Sequence, residues 1–370
     1  MRQPSPAAMG TVPARPVVVT AATDTVTGQR RGKRVAKRAV AKRAVAVAAT
    51  VVLAVAVATH RAVLAASVAA LGHVQWIWIP AVIVLESASI AALAGMQRHL
   101  LAAGGASVGV RPMLATTFAA NALSVSIPLA GPELATAFTF RRYTGQGADA
   151  PLAAWSLLIG GVVSAVAAAL LVAGGGLSSG DLPVTAAATA AVMLAVAVLA
   201  VAVAAARRAR IRGAVERPVG WMVRHGSRLL RRPAEDPAQV VRSWVGRLGS
   251  IRLPLSGWTV VTGLALANWL ADAGVLTVSI HAAGAAVPWQ MLLLAYGSGV
   301  GAQSVNITPG GVGITEGTLG LVLVASGLRL SQALAAVLLY RLISFWLVAS
   351  TGWLVFLRLR MAGPHGGPTR

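Results

Sequence analysis

Five ionisable residues stand in or beside apolar runs of this chain: Glu86, Glu133, Asp272, Glu316 and Arg341. Inside a membrane span each would cost roughly 2.5–3.5 kcal/mol on insertion scales, so such residues point to function or to a mutual pair. Glu316 closes the stretch "SVNITPGGVGITEG", Ser304 to Gly317. Pro309 removes a backbone donor and Gly310, Gly311 and Gly313 permit a sharp turn, which aims Glu316 into a break in the helix. Arg341, in "LLYRLIS", sits mid-helix downstream. It either pairs with Glu316 or meets a lipid phosphate through bidentate charge-assisted hydrogen bonds. Asn268 and Asp272 lie four apart and share a helix face. They line a polar path or pair with Arg341. Glu86 snorkels or finds a hydrogen bond, with a functional role as the sharper alternative. Asn121 and Asn306 suit the bland task of satisfying broken backbone. Arg141 and Arg142 read as an interfacial anchor or as head-group contacts.

Other chemistry is not visible. The chain has no cysteine, which excludes disulfides, thiol catalysis and cysteine-ligated metal. Its six histidines are scattered without ligand spacing. "GSGVG", Gly297 to Gly301, lacks a strand-turn-helix setting and reads as close helix packing. No phosphate loop, zinc motif or nucleophile elbow is present. Glu235 and Asp236 are adjacent acids, but they sit among arginines, which argues against a metal-dependent enzyme on polyprenyl phosphates.

The elements that must position these residues are membrane helices. The 370 residues are 56% hydrophobic and 11% charged, with a mean hydropathy of +0.74. A soluble domain carries about 25% charged residues. Several apolar runs approach the roughly 20 residues that cross a bilayer core. The net charge of +22 invites a nucleic-acid reading, but its distribution opposes one. The basic residues flank apolar spans, mainly before Ala44 and from Arg207 to Arg252, as the positive-inside rule describes.

The organisation follows. Residues 1–43 form a disordered, basic cytoplasmic tail. Residues 44–358 form the membrane domain, with a basic cytoplasmic loop at 207–254, and 359–370 form a second tail. The start of the chain reads as a retained signal anchor rather than a cleaved signal. Unbroken spans are expected near 44–59, 74–96, 151–172, 182–206, 255–281 and 331–357. Two apolar regions, 112–145 and 289–328, are broken by Pro128, Gly131 and Pro132 and by the Pro309 turn. With the tail inside, the 207–254 loop returns inside only if 112–145 makes an even number of crossings. That region is too short for two full crossings, so it must dip in and turn back. The same reasoning makes 289–328 turn back from the outer side.

The two breaks resemble one another. "SVSIP" (Ser124 to Pro128) matches "SVNITP" (Ser304 to Pro309), and Glu133 follows the first proline as Glu316 follows the second. "LAAWSLLIGGVVS" from Leu152 lines up with "LAAVLLYRLIS" from Leu334, at a separation of about 180 residues. Entry from opposite sides makes this an inverted-topology repeat, an arrangement many alternating-access transporters share.

On "PGGVGITEG" (Pro309 to Gly317), "NALSVSIPLAGPELATAFTFRRYTG" (Asn121 to Gly145) and "YRLISFW" (Tyr340 to Trp346), the chain resembles the lysylphosphatidylglycerol synthase transmembrane-region family of flippase-like proteins. The likeness covers about residues 45–358. It implies a lipid-translocating module. In fused members a cytoplasmic aminoacyltransferase domain makes lysyl-phosphatidylglycerol, which the membrane part moves to the outer leaflet. Here the chain ends soon after Arg358, so the expectation is no synthase activity. Stand-alone relatives are associated with lipids or polyprenyl-linked glycolipids in envelope assembly. Two departures weaken the first half-site: Pro132 stands between Gly131 and Glu133, and Gly160 and Gly161 replace the basic residue expected in the following helix.

The expected fold is therefore all-α, a polytopic membrane helix bundle with two inverted re-entrant helical hairpins. The expected function is movement of a phospholipid or polyprenyl-linked glycolipid between leaflets of the plasma membrane, with both termini cytoplasmic. The candidate substrate-binding residues are Glu316, Arg341, Glu133, Asp272, Asn306, Gly310, Gly311 and Gly313, without catalytic residue, metal or cofactor. Expected partners are membrane lipids, either an anionic phospholipid or a lipid-linked sugar, together with a lipid-modifying enzyme docked through the basic loop. In the alternative reading the chain is a non-catalytic scaffold for such an enzyme.

Overall fold

The computed structural model describes residues 74–180, 250–304 and 308–361, with isolated positions elsewhere. The expected span at 44–59, most of the 182–206 span and of the basic loop, both tails and Asn306 lie outside the described residues. Among the described residues there is no strand. A 3-10 turn, Trp76–Trp78, opens α1 (Ile79–Ala103). Then follow α2 (Val110–Ser126), α3 (Gly131–Gly145), α4 (Ala150–Ser179), α5 (Leu255–Ala282) and α6 (Trp289–Ser304). A 3-10 turn at Pro309–Gly311 precedes α7 (Ile314–Ala325), α8 (Leu330–Arg341) and α9 (Val348–Met361). A π-helical turn, Leu342–Leu347, joins α8 to α9.

Four of these units are long and apolar enough to cross a membrane: Trp76–Ala103, Ala150–Ser179, Leu255–Ala282 and Leu330–Met361, of 28, 30, 28 and 32 residues. The other four helices have 17, 15, 16 and 12 residues, fewer than the roughly 20 a crossing needs. Local chemistry sets their ends. Asp149 caps α4 by accepting from the Leu152 N–H at 2.8 Å, and Gly180 ends it with a left-handed φ of 76°.

Helices α1 and α5 pack antiparallel. The Gln75 N–H meets the Ala282 carbonyl at 2.8 Å, Leu85 faces Gly274, Asn268 reaches Ser89, and Leu264 faces Gly95. Two helical hairpins flank this pair: α2 packs on α3, and α6 packs on α7. Each hairpin has both ends tied at one end of the α1/α5 pair. Arg247 donates to the Gly104 carbonyl, before α2, and to Asp149, after α3, at 2.7 and 2.5 Å. At the opposite end Gln332, after α7, donates to the Gly284 carbonyl, before α6, at 2.9 Å.

Each hairpin's first helix also crosses a long helix of the other half at a glycine. A Cβ on Gly352 of α9 would strike the Phe118 carbonyl of α2, and a Cβ on Gly175 of α4 would strike the Leu293–Leu294 backbone of α6. In lipid, where apolar burial gives helices little reason to associate, such close backbone approach is what holds them. Gly297 and Gly299 likewise lie against Val172 and Leu319, as the packing reading of "GSGVG" expects.

Candidate functional site

The second break is built by its glycines. Gly310, Gly311 and Gly313 have φ of 61°, 67° and 90°, a region closed to most side chains. A Cβ on Gly310 would also collide with the Phe345 ring. Thr308 Oγ1 donates to the Val312 carbonyl at 2.9 Å and fixes the turn from within. Helix α7 then starts at Ile314, and Glu316 bends back so that Oε2 accepts from the Gly313 N–H at 2.5 Å. This satisfies one of the donors that every helix start leaves free.

The other oxygen, Oε1, accepts from Arg341 Nε at 2.7 Å. Arg341 is 3% exposed; it also donates to the Gly310 carbonyl at 2.6 Å and stacks over the Phe345 ring at 4.5 Å. The guanidinium thus ties the tip of the α6/α7 hairpin to the last span. Of the two roles open to Arg341, the pair with Glu316 is formed. The π-helical turn begins directly after Arg341. Such turns widen the helix and recur at functional sites. Here Tyr340, Arg341 and Ser344 face a common space while Phe345 packs against Gly310.

Asp272 lies opposite, on α5. Its Oδ2 accepts from the Tyr296 hydroxyl at 2.7 Å and from the Tyr340 hydroxyl at 3.2 Å, while Oδ1 is buried without a hydrogen bond. Four residues earlier, Asn268 donates to the Ser89 hydroxyl at 2.8 Å and its carbonyl at 3.0 Å, which fixes the polar face of α5 against α1. Glu86, on α1, is 8% exposed; its Oε2 is buried without a hydrogen bond, and no described residue donates to it. Among the described residues neither bland expectation for it, snorkelling or a hydrogen-bond partner, is met.

These groups line one cavity of about 380 Å³, walled by Glu86, Asn268, Asp272, Gln303, Gly310 and Arg341 among others. The first break contributes Asn121, Ser124 and Pro132. A second cavity of about 180 Å³ shares Leu93, Asn121 and Ser124 with it and continues past Gln97 and Thr139 to Tyr143. Polar side chains therefore continue from the centre of the bundle along the α2/α3 hairpin.

Of the candidate residues, Arg341, Asp272 and Gly310 line the cavity. Glu316 stands behind Arg341 as its partner, and Gly311 and Gly313 shape the turn. Glu133 is exposed in the first turn of α3 and does not line the cavity, although its neighbour Pro132 does. Tyr296 and Tyr340 were not foreseen as ligands of Asp272. Their only sequence signal is a polar tip within an apolar run, shared with many packing tyrosines.

The two breaks share one backbone feature. Leu129, one residue after Pro128, has a φ of 58°, close to the 61° of Gly310 one residue after Pro309. A leucine in that region is strained, and here it is exposed.

No curated protein matches the chain. A family model described as the lysylphosphatidylglycerol synthase TM region matches residues 43–352, spanning both hairpins, the cavity and most of the last span. The chain is a membrane protein that belongs to this family.

Proposed function

We propose that this protein is a flippase-like transporter that moves a phospholipid or polyprenyl-linked glycolipid between leaflets of the plasma membrane in envelope biogenesis. The observation that carries the reading is the polar cavity at the meeting of two helix breaks within an apolar bundle. A lipid head group needs such a path, while its acyl chains remain in the bilayer. Irregular backbone at membrane depth is tolerated where it lines a cavity. Both hairpin helices are too short to cross, and both ends of each hairpin are tied together, which supports two re-entrant hairpins.

Their attachment to opposite ends of the antiparallel α1/α5 pair supports entry from opposite faces. Exchange of α1–α4 with α5–α9 turns the α2/α9 crossing into the α6/α4 crossing and leaves α1/α5 unchanged. That is the packing expected of an inverted repeat. Arg98, Arg111, Arg141, Arg142 and Arg252 belong with Arg247 near the first tether, whereas Arg329 stands near the second. The positive-inside rule makes the first face cytoplasmic.

In this reading Glu316 and Arg341 frame the site, and the open polar groups of Glu86, Asp272, Asn121 and Gln303 receive the head group. The protein acts by binding and exchange and catalyses no bond change. Reconstitution into vesicles with a panel of fluorescent lipids tests the reading. Leaflet exchange above that of empty vesicles, for a subset of head groups, is the expected result. Exchange equal to that of empty vesicles for every lipid contradicts it.

A further inference from the structure

The cavity carries an excess of acid that head-group binding alone does not explain. Glu86 and Asp272 put two carboxylates on its wall, and the lining offers one guanidinium, Arg341. That guanidinium is committed to Glu316 and the Gly310 carbonyl. Asp272 Oδ2 holds two tyrosine hydroxyls, which support an ionised carboxylate, although its Oδ1 is buried without a donor. Glu86 holds none, has Oε2 buried without a partner, and feels the charge of Asp272 across the cavity. Among the described residues the titratable or charged groups facing it are Asp272 on α5, Tyr296 on α6, and Tyr340 and Arg341 on α8. Helix α2 contributes only the neutral Asn121 and Ser124, and α4 contributes Ser164.

An ionised carboxylate at membrane depth requires a cation or several donors. Among the described residues Glu86 has neither, so the vacant valence is that of an acceptor. We propose that Glu86 is a proton-binding site whose occupancy is coupled to the lipid head group in the same cavity. The inference rests on the transporter reading for its coupling, though not for the site itself. A proton comes from water at one face, forms an O–H bond with a Glu86 carboxylate oxygen, and leaves to water at the other face. No other bond changes.

The sign of coupling follows from the charges. With Glu86 and Asp272 both ionised, and Arg341 paired with Glu316, the cavity repels a phosphate. A proton on Glu86 lowers that repulsion, so proton and anionic head group each strengthen binding of the other, as linkage requires. Proton and anionic lipid therefore travel together. The neighbouring second cavity, which shares Leu93, Asn121 and Ser124 with the first and is lined by Gln97, Thr117 and Thr139, offers a polar approach along α2/α3.

The test uses the full chain in zwitterionic vesicles with a trace of fluorescent phosphatidylglycerol, a pH gradient, and the membrane potential clamped at zero. Wild-type protein is expected to move the probe faster toward the alkaline side than without a gradient. In Glu86→Gln the ratio of the two rates is expected to fall to one. Wild-type movement that ignores the pH gradient, or that follows a sodium gradient instead, overturns the proposal and leaves the transporter reading standing. Protein that moves no lipid sinks the transporter reading. The site is then judged by infrared difference spectra of the wild type between alkaline and acid buffer. A protonated-carboxyl carbonyl stretch that Glu86→Gln lacks supports it; no such stretch, or the same stretch in both proteins, overturns it.

Discussion

Arg341→Met removes a buried cation and leaves its three partners in place. Glu316 Oε1 loses the Nε donor at 2.7 Å, the Gly310 carbonyl loses the Nη2 donor at 2.6 Å, and the Phe345 ring loses the cation at 4.5 Å. Breaking a buried ion pair from one side costs about 3–5 kcal/mol. Glu316 is 25% exposed and keeps its bond from the Gly313 N–H, so solvent screening places the loss near the lower end of that range. Glu316→Gln keeps an acceptor for only one of the two donors and turns its NH2 toward the other, so it should cost about 1.5–3 kcal/mol. The double variant should then be more stable than the sum of the single losses implies, with a coupling of about 1–3 kcal/mol. Denaturation in mixed micelles, followed by tryptophan fluorescence, measures all four proteins. Additive losses would refute the claim that Glu316 and Arg341 act as one framing pair.

Further expectations bear on the turn, the cavity, the topology and the Arg247–Asp149 tether. Gly310→Ala meets both a left-handed backbone and the Phe345 ring, and should cost about 2–5 kcal/mol in the same titration. Gly161→Ala, with open space around its Cβ, should be neutral. Tyr296→Phe removes the 2.7 Å donor to Asp272 and should cost about 1.5–3 kcal/mol, more than Tyr340→Phe with its 3.2 Å contact. Single cysteines replacing Ser107 and Gly145 should react with an impermeant thiol reagent from one face of oriented vesicles, and those replacing Ala286 and Ala325 from the other; labelling of Ser107→Cys and Gly145→Cys from opposite faces would refute a re-entrant α2/α3 hairpin. Burial raises the Asp149 carboxyl, but the Leu152 N–H and Arg247 outweigh it and hold it below its usual value of 3.8. The tether is therefore fully present above that pH and is lost as pH falls through the lower folded value. A stability difference between wild type and Asp149→Asn of below about 1 kcal/mol, vanishing on acidification, is expected for this surface pair.

The breaks were legible because proline and glycine have few backbone options. Pro309 with Gly310, Gly311 and Gly313 can only be a turn, and a carboxylate three residues past the last glycine falls where a helix start needs an acceptor. The pairing of Glu316 with Arg341 was one of two readings that a buried arginine permits. Residue types alone could not choose between them, because a phosphate and a carboxylate offer Arg341 the same oxygens. Glu133 was chosen by its likeness to Glu316. The inserted Pro132 and the lack of a basic partner in α4 leave it exposed at the start of α3. The cluster of Glu86, Asp272, Tyr296 and Tyr340 was only half visible. Spacing of four puts Asn268 and Asp272 on one face, but spacing within a helix does not say which face of α1, α6 or α8 meets it. The π-helical turn was invisible, since "LISFWL" contains neither proline nor glycine to signal it.

The central claim is that lipid head groups pass through the cavity between the two hairpins. Because the chain has no cysteine, a single thiol can be placed there without background. Ser124 lies on the wall shared by both cavities, whereas Leu158 is exposed on the outside of α4. A bulky maleimide on Ser124→Cys should abolish leaflet exchange of fluorescent lipid in reconstituted vesicles, while the same label on Leu158→Cys leaves it intact. Exchange that continues at the unlabelled rate with Ser124→Cys fully modified contradicts the claim.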